Sequence, residues 1–377
     1  MADAILRINP WLRKAANKNP ISRSEHRQTT REEGSSQWYN PCSWYVEVQI
    51  CMLIICFFFL GIFVSVILWC TRKDEYPDYT PIPYSLIDTY AGPSFFDKFN
   101  YFSDVDPTHG FVKYADKATA DNLNLTTTTP TSTILKVDTS TRNARRGRSS
   151  VRIESKVTYN DGLFLFDIIH TPFGCGTWPA LWLTDGYNWP DNGEIDVLEA
   201  TNNASDGNVV SLHTTKGCII NGTRKHTGLP VNARCNGGNT GCGVRGLPST
   251  YGKEMNDNGG GVYALELRAE GIRVWFFPRP SIPPDILTGT QPDPSAWELP
   301  LADFPNTHCD IGSHFRNQSI IVNIDLCGEY GGDKEVYRDQ NGCPGNCREF
   351  VARHPEAFGE AYWEFAGFRV YQGGKRV

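Results

Sequence analysis

Three carboxylates fall within one short run of this chain, Glu194-Ile195-Asp196-Val197-Leu198-Glu199. In a strand, side chains alternate between faces, so Glu194 and Asp196 share one face while Ile195 and Val197 point to the other. Glu199 has the wrong parity for the acidic face. One surplus residue, a β-bulge, returns it there, and bulges gather beside active sites because they re-aim a side chain. Like charges packed together raise at least one pKa, which costs stability and provides acid–base chemistry. Glycoside hydrolysis needs such a set: one carboxylic acid and one carboxylate across a glycosidic bond, roughly 5–5.5 Å apart in a retaining enzyme. Four regular strand steps separate α-carbons by about 13 Å, so bulging, sheet curvature and two long Glu side chains must close the gap. The competing reading is a solvated strand face, and the surroundings decide between them.

Those surroundings are aromatic. Gly176-Thr177-Trp178-Pro179-Ala180-Leu181-Trp182-Leu183 precedes the acids, and Trp189 follows it. Indoles stack on the C–H faces of a sugar while their N–H groups bond hydroxyls. Trp178, beside a proline at a strand entrance, reads as a substrate contact. Trp182 is either a second platform or core packing under the sheet, since Trp is mostly buried. His213, in Ser211-Leu212-His213-Thr214-Thr215, alternates with an apolar residue and either faces the same groove or is structural.

What must position these groups is a sheet. Short β-rich runs at 151–157, 163–170, 209–213, 261–269, 272–277, 319–325 and 361–371 are separated by Gly, Pro, Asn and Asp clusters. Many short strands with frequent turns mean an all-β sandwich or barrel, and no internal repeat is present. The stretch 144–148 reads as an exposed turn, with a dibasic processing site as its alternative. The 377 residues allow one large domain plus extras. A formal charge of −6 argues against a nucleic-acid partner, and no zinc-type spacing, Walker loop or dinucleotide fingerprint is found.

The N-terminal part differs. Residues 1–45 are polar and basic without apolar periodicity, which reads as a disordered tail. Residues 50–69 carry no charge over a length that spans a bilayer, within a transmembrane segment read as 46–70. The basic tail places the N-terminus in the cytoplasm and the rest outside: a single-pass type II protein with its large domain lumenal or extracellular. Of 12 cysteines, Cys175, Cys218, Cys235, Cys242, Cys309, Cys327, Cys343 and Cys347 lie beyond the span. An even number there reads as up to four disulfides of undetermined connectivity. Sequons at Asn124, Asn203, Asn221 and Asn317 also fall beyond it. Residues 71–83, with Pro77, Pro81 and Pro83, read as a stiff stalk, and the domain is expected over 84–377.

The motif Asn192-Gly193-Glu194-Ile195-Asp196-Val197-Leu198-Glu199, after Cys175-Gly176-Thr177-Trp178-Pro179-Ala180, resembles glycoside hydrolase family 16, specifically the fungal laminarinase-like endo-β-1,3(4)-glucanases. Leu212-His213-Thr214-Thr215, Gly217-Cys218, Asp325-Leu326-Cys327-Gly328, Gly342-Cys343-Pro344-Gly345, Ala361-Tyr362-Trp363-Glu364 and Phe368-Arg369-Val370-Tyr371 extend the likeness over about residues 84–371. The resemblance implies a β-jelly roll of two antiparallel sheets with a concave substrate cleft, behind one transmembrane helix. It implies a retaining double displacement with Glu194 as nucleophile, Glu199 as general acid and then base, and Asp196 hydrogen-bonded to Glu194. Where related enzymes often carry Trp after the Cys-Gly pair, this chain has Glu329-Tyr330, so Tyr330 takes the stacking position with less area.

The expected activity is an endo-β-glucanase cutting β-1,3- or mixed β-1,3/1,4-glucan. The alternatives are a wall-remodelling transglycosylase and a non-catalytic, lectin-like glucan binder, the latter disfavoured because all three acids are retained. The expected partners are β-glucan and, through residues 50–69, the bilayer. The chemistry requires no metal or cofactor, no calcium loop is legible, and a monomer is expected.

Overall fold

The computed structural model describes residues 41–73, 75–236 and 241–374. The tail expected over 1–45 therefore lies outside it, apart from its last five residues, which are helical. One helix runs Pro41–Lys73, longer than the apolar run itself. Its Tyr45–Trp69 portion has mean hydropathy 3.1 and is long and apolar enough to cross a membrane.

The domain beyond it is built from two eight-stranded sheets, antiparallel throughout, with one small parallel pair, Val112–Tyr114 with Arg148–Ser150. One sheet runs, in spatial order, Leu229–Asn232, Cys242–Arg245, Val209–His213, Glu194–Glu199, Thr177–Thr184, Gln318–Leu326, Arg152–Tyr159, Phe99–Tyr101. The acidic strand thus sits near its middle. The second sheet centres on Gly162–His170, flanked by Gly261–Arg268 and Tyr362–Gly373, with Tyr84–Tyr90 pairing the latter. Every strand expected from the sequence is present within two residues at each end, because β-branched and aromatic runs bounded by turn residues favour strands.

Between the sheets lies the core. Leu181, Leu183, Ile195, Val197, Leu198, Leu212, Val322 and Ile324 meet Phe164, Phe166, Leu265, Val274, Trp363 and Phe368, all fully buried. That packing commits the inward parity of each strand and leaves the opposite parity on the outer face. A smaller cluster on the outer side of the second sheet, Leu165, Trp275 and Phe277, is covered by Trp297.

Four disulfides form among the eight outer cysteines: Cys175–Cys343, Cys218–Cys309, Cys235–Cys242 and Cys327–Cys347. All four sequon asparagines are exposed. The 144–148 stretch is only partly the expected exposed turn. Arg145 and Arg146 are exposed, but Arg148 is fully buried. Its guanidinium donates to the carbonyls of Val351, Asp138 and Thr141, which satisfies its donors without water.

The expected stalk is docked from Tyr76 onward. Tyr76 and Tyr79 donate to the two carboxyl oxygens of fully buried Asp303 at 3.0 and 3.2 Å. Arg273 lies 4.0 Å from the Tyr79 ring centroid, and Arg268 donates to Thr80 O. Without this strap, Asp303 would keep Lys225 N–H but lose two hydroxyl donors. Hydrogen bonds to a buried charge contribute about 1.5–3 kcal/mol each. Tyr79→Phe should therefore lower stability by roughly that amount, read as thermal unfolding of the full chain in detergent. A stalk that merely spaces the domain from the helix would give an unchanged melting temperature.

Candidate active site

The acidic strand is bulged. Against the Thr177–Thr184 strand, Glu194 pairs with Thr184 and Asp196 with Trp182, then Leu198 with Leu181 and Glu199 with Ala180, the register shifting between Asp196 and Leu198. Val197 is the surplus residue, and Val197 and Leu198 both point inward, fully buried. Ala180 and Trp182 are two apart and share a face, so Glu199 stands on the same face as Asp196 and Glu194.

The bulge leaves a main-chain N–H and C=O to satisfy. Asn208, fully buried, does both: its Oδ1 accepts from Glu199 N at 2.9 Å and its Nδ2 donates to Val197 O at 2.8 Å. Each glutamate is gripped by an indole. Trp189 Nε1 donates to Glu194 Oε2 at 2.7 Å, and Trp178 Nε1 donates to Glu199 Oε1 at 2.8 Å. Asp196, almost fully buried between them, faces His213 with 3.3 Å between its Oδ2 and the imidazole Nε2.

Trp182 lies on the acidic face rather than in the core: Asp196 is its cross-strand partner, its Nε1 donates to Asn323 Oδ1 at 2.7 Å, and the Arg152 guanidinium is 5.0 Å from its ring. Tyr330 stands edge-on to Trp178, centroids 5.6 Å apart, and is 41% exposed. All eight residues singled out from the sequence thus gather on one side of one sheet. Trp178 and Trp189 address the carboxylates themselves, a finer arrangement than generic stacking.

Sequence reading missed Asn208, Arg152 and Asn323. Asn323 alternates with Val322 and Ile324 along one strand, and that alternation was the available signal. Asn208 is one of many polar residues in the loop 201–208, and nothing in the sequence sets it apart from Asn202, Asn203, Ser205 or Asp206.

Burial, and next the charge of Asp196, holds both Glu194 and Glu199 well above the usual carboxylate range. The indole donors oppose this shift. The carboxyl oxygens of Glu194 and Asp196 and a ring nitrogen of His213 lie within 4.8 Å of one another, close enough to share a proton or hold a cation.

A raised carboxyl pKa means the folded state binds protons that the unfolded chain releases above about pH 4. The contribution is complete below that pH and is lost as pH rises through the folded values. Asp138 and Asp185, held low by hydrogen bonds that outweigh burial, act oppositely and favour the fold above their unfolded pKa. The domain should therefore melt several degrees higher near pH 5 than near pH 8, and Glu194→Gln/Glu199→Gln should flatten that slope in calorimetry.

Two packed antiparallel sheets, with paired glutamates and indoles on the outer face of one, define a glycoside hydrolase. Residues 99–371 match the XgeA-like catalytic GH16 domain. The chain is 44% identical over 309 residues to a probable glycosidase of Schizosaccharomyces pombe, a match covering 80% of this chain and 72% of that one. It is 38% identical over 305 residues to a probable endo-1,3(4)-β-glucanase of Aspergillus clavatus, covering 77% of this chain and 47% of that one.

Among solved structures, laminarinase 16A of Phanerochaete chrysosporium, with β-glucans in both donor and acceptor sites, is similar at 43% identity and TM-score 0.75, covering 77% of this chain and 100% of that one. A mutant of laminarinase 16A that cyclizes laminariheptaose superimposes equally, with TM-score 0.75. An elongating family 16 β-1,3-glucosyltransferase is similar at 39% identity and TM-score 0.72, covering 77% and 100%. The chain belongs to glycoside hydrolase family 16.

Proposed function

We propose that this protein is a retaining endo-β-glucanase acting on β-1,3- or mixed β-1,3/1,4-glucan. The bulged strand carries the reading, because it sets both glutamates and Asp196 on one face with a separate indole donor for each glutamate. Glu194 attacks the anomeric carbon, and the bond to the leaving oxygen breaks as Glu199 delivers its proton to that oxygen. A glycosyl ester on Glu194 results. Water then attacks the same carbon, Glu199 takes its proton, and the Glu194 carboxylate is released. Asp196, paired with His213, fixes the strand's charge beside the nucleophile. Trp182 and Tyr330 supply platforms for sugar rings along the groove.

A second outcome shares every step but the last: a sugar hydroxyl replaces water. The likeness to an elongating glucosyltransferase favours it. Laminarin, lichenan and a β-1,6-glucan digested side by side, with products resolved by length, separate the two. Hydrolysis yields only shorter chains, while transfer yields some longer than the starting oligosaccharide. Equal inertness toward all three polymers would overturn the assignment.

The Tyr45–Trp69 stretch supports a type II anchor with the catalytic domain on the lumenal or extracellular side. The exposed sequons and four disulfides fit an oxidising compartment. Endoglycosidase sensitivity at Asn124, Asn203, Asn221 or Asn317 checks that side.

A further inference from the structure

Beyond the acidic strand, two more carboxyl groups are packed around one hydroxyl at the end of the same sheet. Thr108 Oγ1 lies 2.6 Å from Asp106 Oδ2 and 2.8 Å from Asp325 Oδ2. Asp106 is 7% and Asp325 2% exposed. A threonine hydroxyl has one proton and can donate to only one carboxyl oxygen. The other contact at hydrogen-bond distance needs a proton on the carboxyl itself. Asp106 Oδ2 already accepts from Thr108 N at 3.1 Å and Gly110 N at 2.7 Å, so it is the acceptor. The proton must then sit on Asp325, which donates to Thr108 Oγ1.

The surroundings agree. Tyr114 and Arg152 also face Asp325, and the Arg152 guanidinium is occupied by Glu154 at 2.7 Å. Burial, then the charge of Asp106, pushes the Asp325 carboxyl up to about 8. Beyond the turn, the exposed pair His109–Glu329 and Arg348, which donates to His109 O, complete the charged groups near it.

This arrangement pins the turn 106–110 to the strand end, and the turn holds the next loop. Glu329 N donates to Thr108 O at 3.0 Å, and Phe111 N donates to Leu326 O. Gly110 has no room for a side chain, since a Cβ there would lie 2.1 Å from Asp325 Oδ1. Gly328, at φ +65°, lets the loop cross directly over Trp178, where a Cβ would lie 2.8 Å from the indole. The loop then places Tyr330 against Trp178, the donor to Glu199.

We propose that Asp325 is a positioning residue for Glu199, working as a neutral carboxylic acid that donates to Thr108 and so fixes the 106–110 turn and the Tyr330–Trp178 pair behind it. The proposal rests on the acid–base role given to Glu199, but its central element, a buried proton on Asp325, can be read without turnover.

The test uses the full chain in detergent. Asn at 325 can donate as the neutral acid does and cannot ionise, whereas Ala can do neither. At pH 6, the infrared spectrum of wild type minus Asp325→Asn should show a protonated-carboxyl band. Asp325→Asn should keep kcat within about threefold of wild type, because its amide donates to Thr108 as the neutral acid does. Asp325→Ala should lose about tenfold or more in kcat, with a smaller change in KM. A difference spectrum without that band would overturn the proposal. So would an Asp325→Asn chain that loses as much kcat as Asp325→Ala. If Glu199 proves to have another role, the infrared band persists while the kinetic differences vanish, which separates the two failures.

Discussion

A Glu194→Gln chain should release reducing ends from laminarin about four orders of magnitude more slowly than wild type, yet bind the polymer as well as before. The amide is nearly isosteric, and its oxygen can still accept from Trp189, so neither the strand nor the groove has reason to move. What disappears is the anion to which the proposed mechanism assigns the bond to the anomeric carbon. Glu199→Gln also fails on laminarin, for a different reason. Its amide has no acid proton for the leaving oxygen, but the Glu194 nucleophile remains. Aryl glucosides with a good leaving group should therefore still load the enzyme, and the glycosyl ester should accumulate because no base activates water. Added azide, which needs no base, should discharge it as a glycosyl azide of retained configuration. Azide rescue that gives a product of retained configuration from Glu194→Gln instead of Glu199→Gln would reverse the two roles, and turnover of Glu194→Gln within tenfold of wild type would refute the mechanism.

These expectations depend on facts that were unequally visible in the chain. The bulge was legible because parity is a strict rule: three acids that must share a face cannot do so at positions 194, 196 and 199 without one surplus residue. The all-β class was legible because short β-rich runs alternate with Gly, Pro, Asn and Asp clusters, while the two-sheet jelly roll came from the family resemblance. The family resemblance read from the residues around 175–180 and 192–199 is borne out over residues 99–371. The docked strap was not legible. Pro77, Pro81 and Pro83 have the composition of a spacer, and the partner of Tyr76, Asp303, is 227 residues away. Arg148 misled for a similar reason, since its acceptors are main-chain carbonyls that no side-chain pattern announces. The disulfide pairing was undetermined because the fold, rather than sequence spacing, decides which α-carbons meet.

The least legible residue of the site carries the second large effect. Asn208 holds the two main-chain groups that the bulge frees, and its Oδ1 fixes the peptide of Glu199. In Asn208→Leu, a buried N–H and a buried C=O lose their partners, at a cost of about 1–3 kcal/mol each. Glu199 is then free to drift, and a misplacement of about 1 Å at a catalytic group lowers the rate on the order of a hundredfold. A purely structural role for Asn208 would give the same loss in any background. A role exercised through the bulge would not. Deleting Val197 leaves Glu-Ile-Asp-Leu-Glu, a regular alternation that keeps all three acids on one face with no surplus residue to anchor. In that shortened strand, Asn208→Leu should cost far less than in wild type, so the double-mutant cycle in kcat should be strongly non-additive. Strict additivity would detach Asn208 from the bulge. Loss of all activity on deleting Val197 alone, in a chain that still melts cooperatively, would show that the bulge supplies curvature as well as parity.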